Sequence, residues 1–248
     1  GSDNTLIGDG AADALTTGNN NTAVGSGSLS ATTTAAGNTA VGKNAMLSNT
    51  TGANNTAVGL QALNGNTTAD DNTAVGMNAL VSNTTGATNT AVGASALQEN
   101  TTASDNTAVG FESLLDNTTG TNNTAVGKRS GYNITTGDDN TAIGQEALFT
   151  ATTASDNTAV GFQALYSNSS GASNAAMGHN ALFNNTTAAN NTAVGFSALG
   201  ANTTGAGNTA VGAIALDRIT TSSNNTAVGH EALTNMTGGA GNTALGKG

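Results

Sequence analysis

One pentad, Asn21-Thr22-Ala23-Val24-Gly25, recurs with small changes every 17 residues from Asn4 to Asn242, without an insertion. A short period held along a whole chain is the signature of a solenoid, because each repeat buries its apolar face only by stacking on copies of itself. Composition narrows the choice further. Aromatic residues are 3% and charged residues 8% of the chain, with no Trp, Cys or Pro. Such an inventory of Ala, Val and Leu fills a thin, elongated core rather than a thick one. Disorder, the other outcome of low aromatic content, does not hold Val and Leu at a fixed phase.

With the repeat numbered 1 to 17 from its Asn, position 5 is Gly in every copy and position 4 is Val or another apolar residue. Position 8 is Ala or Ser, position 9 is usually Leu, and positions 13 and 14 are nearly always a Thr pair. The segment over positions 6–11, such as 60–65, is too short for a stable helix. Thr and Val favour strands, and the flanking Asn, Asp and Gly favour turns. The expected fold is therefore all-β, a parallel β-solenoid or β-roll of 17-residue coils, rising about 4.8 Å per coil to a rod of about 67 Å.

Each column then has an expected role. Gly25 and Gly76 at position 5 suit a corner with positive φ or close backbone approach. Asn21 and Asn72 at position 1 form a ladder of stacked side-chain amides. Val24 at position 4 and Leu63 at position 9 fill a narrow interior with Ala at 3 and 8, while the threonines line strands and corners. Residues 1–3 read as a cloning scar and N-terminal edge. Residues 4–248 read as one array of fourteen 17-residue repeats plus a partial one, cut from a longer protein. Position 15 alternates Gly and Ala, a 34-residue double unit that slips at Gly120 and Gly137. The coil at the slip carries Lys128, Arg129 and Gly131, and reads as a join between duplicated blocks, or else as a local bend or binding feature.

No catalytic, cofactor or metal constellation emerges. His179 and His230 lie three coils apart, about 14 Å, as solvated or interface residues. Acidic residues gather at positions 16 and 17; Asp139 and Asp156 share a column on adjacent coils and read as solvated turns rather than a cation site. With 15 acidic and 5 basic residues, a formal charge of −10 opposes nucleic acid, whose affinity comes from Lys and Arg. No apolar run is long enough to insert into a membrane. Asn-x-Thr triplets such as Asn66-Thr67-Thr68 would be glycosylation acceptors in a eukaryotic secretory path, but the repeat itself accounts for them. Two apolar columns stand outside the expected core. Position 10 carries Leu115, Tyr132, Phe149, Tyr166 and Phe183 on consecutive coils, and position 6 carries Phe111, Phe162 and Phe196. Stripes of this kind mark an interface, here expected between chains.

Arrays such as Asn157–Gly171, NTAVGFQALYSNSSG, resemble the repetitive regions of bacterial and phage tail-fibre-like surface proteins, which often precede an intramolecular chaperone domain of the endosialidase type. They are similar, more loosely, to the heads of trimeric autotransporter adhesins, whose repeat is shorter, and to the adhesive trimer fibres of predatory bacteria. The resemblance implies a homotrimer of parallel β-rolls on an extracellular fibre, contacting a surface glycan or protein; it carries over no individual functional residue. Three functions follow in order: a structural, adhesive fibre segment without enzymatic activity; an ice-binding solenoid; and a glycan-binding or glycan-cleaving tailspike. Against ice binding, the Thr pair at positions 13 and 14 points to opposite faces of a strand. Against cleavage, Glu112 and Glu146 are two coils apart with no second acid opposite.

Overall fold

A computed structural model describes residues 1–248. The chain forms two compact units, Gly1–Asn122 and Asn123–Gly248, dividing where the alternation at position 15 slips. There is no helix. In the first unit, repeat positions 2–4 form strands β1 (Thr5–Ile7), β2 (Thr22–Val24), β3 (Thr39–Val41), β4 (Thr56–Val58), β5 (Thr73–Val75), β6 (Thr90–Val92) and β7 (Thr107–Val109). The second unit holds β8 (Thr124–Val126), β9 (Thr141–Ile143), β10 (Thr158–Val160), β11 (Ala175–Met177), β12 (Thr192–Val194), β13 (Thr209–Val211), β14 (Thr226–Val228) and β15 (Thr243–Leu245). Within each unit neighbouring strands pair in parallel, like residue on like residue, as Thr73 on Thr90 and Thr192 on Thr209. The chain is a parallel β-solenoid of 17-residue coils, as its period requires.

The rest of each coil is turn, and its backbone is unusual. Positions 7, 9 and 17 take positive φ through the array, as in Asn78 (57°), Leu80 (52°) and Asp71 (61°). Asn and Asp at position 17 suit this left-handed region; Leu at position 9 does not, at a cost of roughly 1–2 kcal/mol per residue. The compensation is a backbone bond. Each twist aims the N–H along the coil axis: Asn78 donates to Leu60 O (3.0 Å), Leu80 to Ala96 O (3.0 Å) and Asp71 to Ala53 O (3.1 Å). The turns are thereby paired between coils as the strands are.

The interior is narrower than side-chain size alone suggests. Ala at position 3, Ala or Ser at 8 and Leu at 9 are buried, Leu63 completely. Ser28 satisfies its buried hydroxyl by donating to Gly25 O (2.9 Å), which is why Ser can replace Ala at position 8. Val at position 4 does not belong to this core. A three-residue strand alternates, so the buried Ala23 leaves Thr22 and Val24 on the outside. The expectation that Val24 and its column fill the interior is corrected: Val58 is 36% exposed and Met177 47%.

The expected amide stack at position 1 takes a different form. Asn72 Oδ1 accepts from the backbone N–H of Asn89 (2.9 Å), and Asn72 Nδ2 donates to the position-15 carbonyl of its own coil, Gly86 O (2.9 Å). Amide-to-amide bonds accompany these in several coils, as Asn89 Nδ2 to Asn72 Oδ1 (3.2 Å). A second ladder, at position 12, was not expected. Asn83 Nδ2 donates to Asn66 Oδ1 (3.2 Å) and to the same Gly86 O (2.9 Å). The position-15 carbonyl is thus gripped by two buried amides. Asn66 is fully buried, so the triplet Asn66-Thr67-Thr68 holds a core ladder and not an open acceptor. This ladder ends at Asn117, and a second run, from Asn168, ends at Asn202; Oδ1 of each end residue has no partner, and the residues that follow in the column are Ile134 and Ile219.

Gly76 (φ 139°) shows why position 5 is invariant: a Cβ there would lie 2.4 Å from Gly93 O. Gly25 is held the same way by Gly42 O at 2.6 Å. Gly131 replaces Leu at position 9 but keeps its left-handed turn, φ 59°, and the apolar volume lost there returns at position 12 as buried Ile134.

Candidate functional site

With the strands fixed, the outward columns can be followed coil by coil. Thr at position 2 and Val at position 4 stand on one side of each ladder, and position 6 follows on the exposed turn. Phe111 is 46% exposed, Phe162 38% and Phe196 52%. In the second unit His179 lies between two of these rings, 5.0 Å from Phe162 and 5.4 Å from Phe196. His230, in the same column, approaches Glu231 at 3.6 Å. Columns 2, 4 and 6 contain only four charged residues, Asp9, Lys43, Lys128 and Lys247. In a chain of charge −10 this strip is therefore without negative excess, and the acidic residues other than Asp9 lie elsewhere.

The position-10 column behaves differently. Tyr132, Phe149, Tyr166 and Phe183 are half-buried and stack on each other within the second unit, with centroids 5.2, 5.1 and 5.2 Å apart. Arg129 lies 5.7 Å over the Tyr132 ring, a cation–π contact. Leu115, half-buried, holds the same position in the first unit. These side chains cover one another in part, so of the residues expected at a subunit interface, Phe111, Phe162 and Phe196 are the more exposed set. The Val column beside them is the part sequence patterning missed.

Acidic residues at position 17 occupy left-handed turns: Asp105, Asp139 and Asp156 have φ of 62°, 58° and 61°. They are exposed, and their type follows from the turn. At position 11 in the first unit, burial and the neighbouring Glu99 push the Asp116 carboxyl above its ordinary value. In the second unit burial pushes Asp217 up, partly opposed by Arg218. Glu112 and Glu146, at position 7, sit in separate units. No family model, curated protein or solved structure matches the chain.

Proposed function

We propose that the chain is a structural, adhesive segment of an extracellular fibre, assembled as a homotrimer of parallel solenoids. The observation that carries this reading is the outward strip of Val and its apolar substitutes at position 4, joined at position 6 by exposed Leu60, Met77, Phe111, Phe162 and Phe196. A long apolar strip of low charge is characteristic of an interface. A second copy suits it better than a globular partner, because two identical solenoids share one coil spacing of about 4.8 Å and mesh column on column. The chain's resemblance to tail-fibre repeats and trimeric adhesin heads supports three copies and an extracellular setting. The solenoid itself then acts as a spacer that presents a surface ligand, with no catalytic step.

Light scattering after size exclusion tests this. Three chains of 23.8 kDa give 71.4 kDa, and the variant Phe111→Ser/Phe162→Ser/Phe196→Ser falls to the mass of one. A native protein at the mass of one chain overturns the proposal; a variant that stays trimeric moves the contact off this strip.

One observation favours a second reading, ice binding. The objection from positions 13 and 14 does not apply to Thr at position 2 and Val at position 4, which point the same way from a regular ladder. The two readings compete for one face. Thermal hysteresis from a monomer supports ice binding, and its absence from a trimer supports the fibre.

A further inference from the structure

The column of rings at position 10 ends in a slot. Tyr166 covers one face of Phe183, with 8° between the ring planes. On the other side the next coil carries Gly200 at position 10, and the one after carries Asp217. With coils about 4.8 Å apart, the level of Gly200 lacks one ring of the stack. A cavity of about 340 Å³ opens there, lined by Phe183, Asn180, Asn184, Ser197, Asp217 and Arg218. That volume lies at the small end of the range for ligand sites.

Polar groups surround the free ring face. The Asp217 carboxylate leans over Gly200: a Cβ built on that glycine would lie 2.8 Å from Asp217 Oδ1. Arg218 is steadied by a bond from Nη1 to Asn235 Oδ1 (3.2 Å). Asn184 Nδ2 donates to Gly200 O (2.9 Å), fixing the floor.

We propose that this slot binds one pyranose residue of a glycan, its apolar face on Phe183 and its hydroxyls on Asp217 and Arg218. The C–H bonds of a pyranose face are weakly positive and match the negative face of an aromatic ring. Hydroxyls at the ring edge donate to the Asp217 carboxylate and accept from the Arg218 guanidinium. An aromatic side chain would continue the stack but leave that rim without partners. A phosphorylated ligand would meet Asp217 and a chain of charge −10. None of the groups that line the slot belongs to columns 2, 4 or 6, so the site stands apart from self-association.

Saturation-transfer NMR tests it on the whole chain, with the methyl pyranosides of glucose, galactose, mannose and N-acetylglucosamine, and p-cresol as a tyrosine mimic. At least one glycoside gives a signal from the protons of one ring face with the native protein. Gly200→Tyr, which extends the column by one ring as Tyr132 and Tyr166 do elsewhere, abolishes it. The isosteric Asp217→Asn, which leaves the slot open, weakens binding at least tenfold. No signal from any glycoside overturns the proposal, as does a signal unchanged in both variants. A signal from p-cresol alone, lost in Gly200→Tyr, overturns it in favour of an aromatic peptide side chain. Light scattering on the same samples keeps the outcomes separate, because the mass tests the trimer and the NMR signal tests the slot.

Discussion

Ala occupies position 15 in alternate coils, so sequence comparison between repeats would rate Gly86→Ala as harmless. At a compatible site such a change stabilises by about 0.4–1 kcal/mol through the unfolded chain. The structure reverses the sign. A Cβ on Gly86 would lie 2.1 Å from Ala103 O and 2.6 Å from Asn83 Oδ1. The first of these is backbone, and it accepts from Asn89 Nδ2 (2.8 Å) and Asn100 Nδ2 (3.1 Å). Overpacking costs about 1–3 kcal/mol, and displacing the carbonyl weakens two bonds of net value about 0.5–1.5 kcal/mol each. The expected loss is about 2–6 kcal/mol. The reverse change, Ala103→Gly, removes a buried methyl and loosens the unfolded chain, for about 1–2 kcal/mol. Both substitutions therefore destabilise, each coil of the 34-residue pair requiring its own residue. Urea unfolding followed by far-UV circular dichroism measures this, with the midpoint for Gly86→Ala falling by on the order of 1–3 M. A change within about 0.5 kcal/mol of the native protein would refute the steric account of the double period.

Asn72→Ala removes the acceptor for the Asn89 N–H, and leaving that buried donor unpaired costs about 1–3 kcal/mol beyond the lost packing, read in the same urea titration. Leu80→Ala costs about 2–5 kcal/mol. Leu80→Gly is expected to be no worse, because relieving the φ of 52° offsets the added flexibility of about 0.5–1 kcal/mol; a clearly less stable glycine variant would contradict left-handed strain at position 9. Burial raises Asp217, so its contribution to stability is full below the ordinary carboxyl value of 3.8 and is lost as pH rises through the raised value. Asp217→Asn should therefore gain melting temperature relative to the native protein at pH 7 and lose that advantage at pH 3, and a gap that does not change with pH would count against it.

The period makes the fold legible, because coils that pair through their backbones must repeat in length. What hydrophobicity cannot supply is direction. It favours the larger Val24 over Ala23 for the interior, yet alternation within β2 admits only one of the two, and a narrow coil takes the smaller. Propensity equally hides the left-handed Leu80, since nothing in the side chain asks for that backbone; the bond to Ala96 O does. The ladder through Asn66 and Asn83 is visible as a column of asparagines, but its carbonyl partner at position 15 is a backbone atom and leaves no mark in composition. Of the outward surface, Phe111, Phe162 and Phe196 are legible as a stripe. The slot at Gly200 is legible only once stacking shows that a ring is missing there.

The stacked column also fixes what light can report about this protein. There is no Trp, and the two Tyr residues, Tyr132 and Tyr166, both stand in that column, Tyr166 between Phe149 and Phe183. Tyrosine emission therefore comes from one face of the second unit alone. Circular dichroism reports the strands of every coil, so the two optical signals together separate loss of that column from loss of the array.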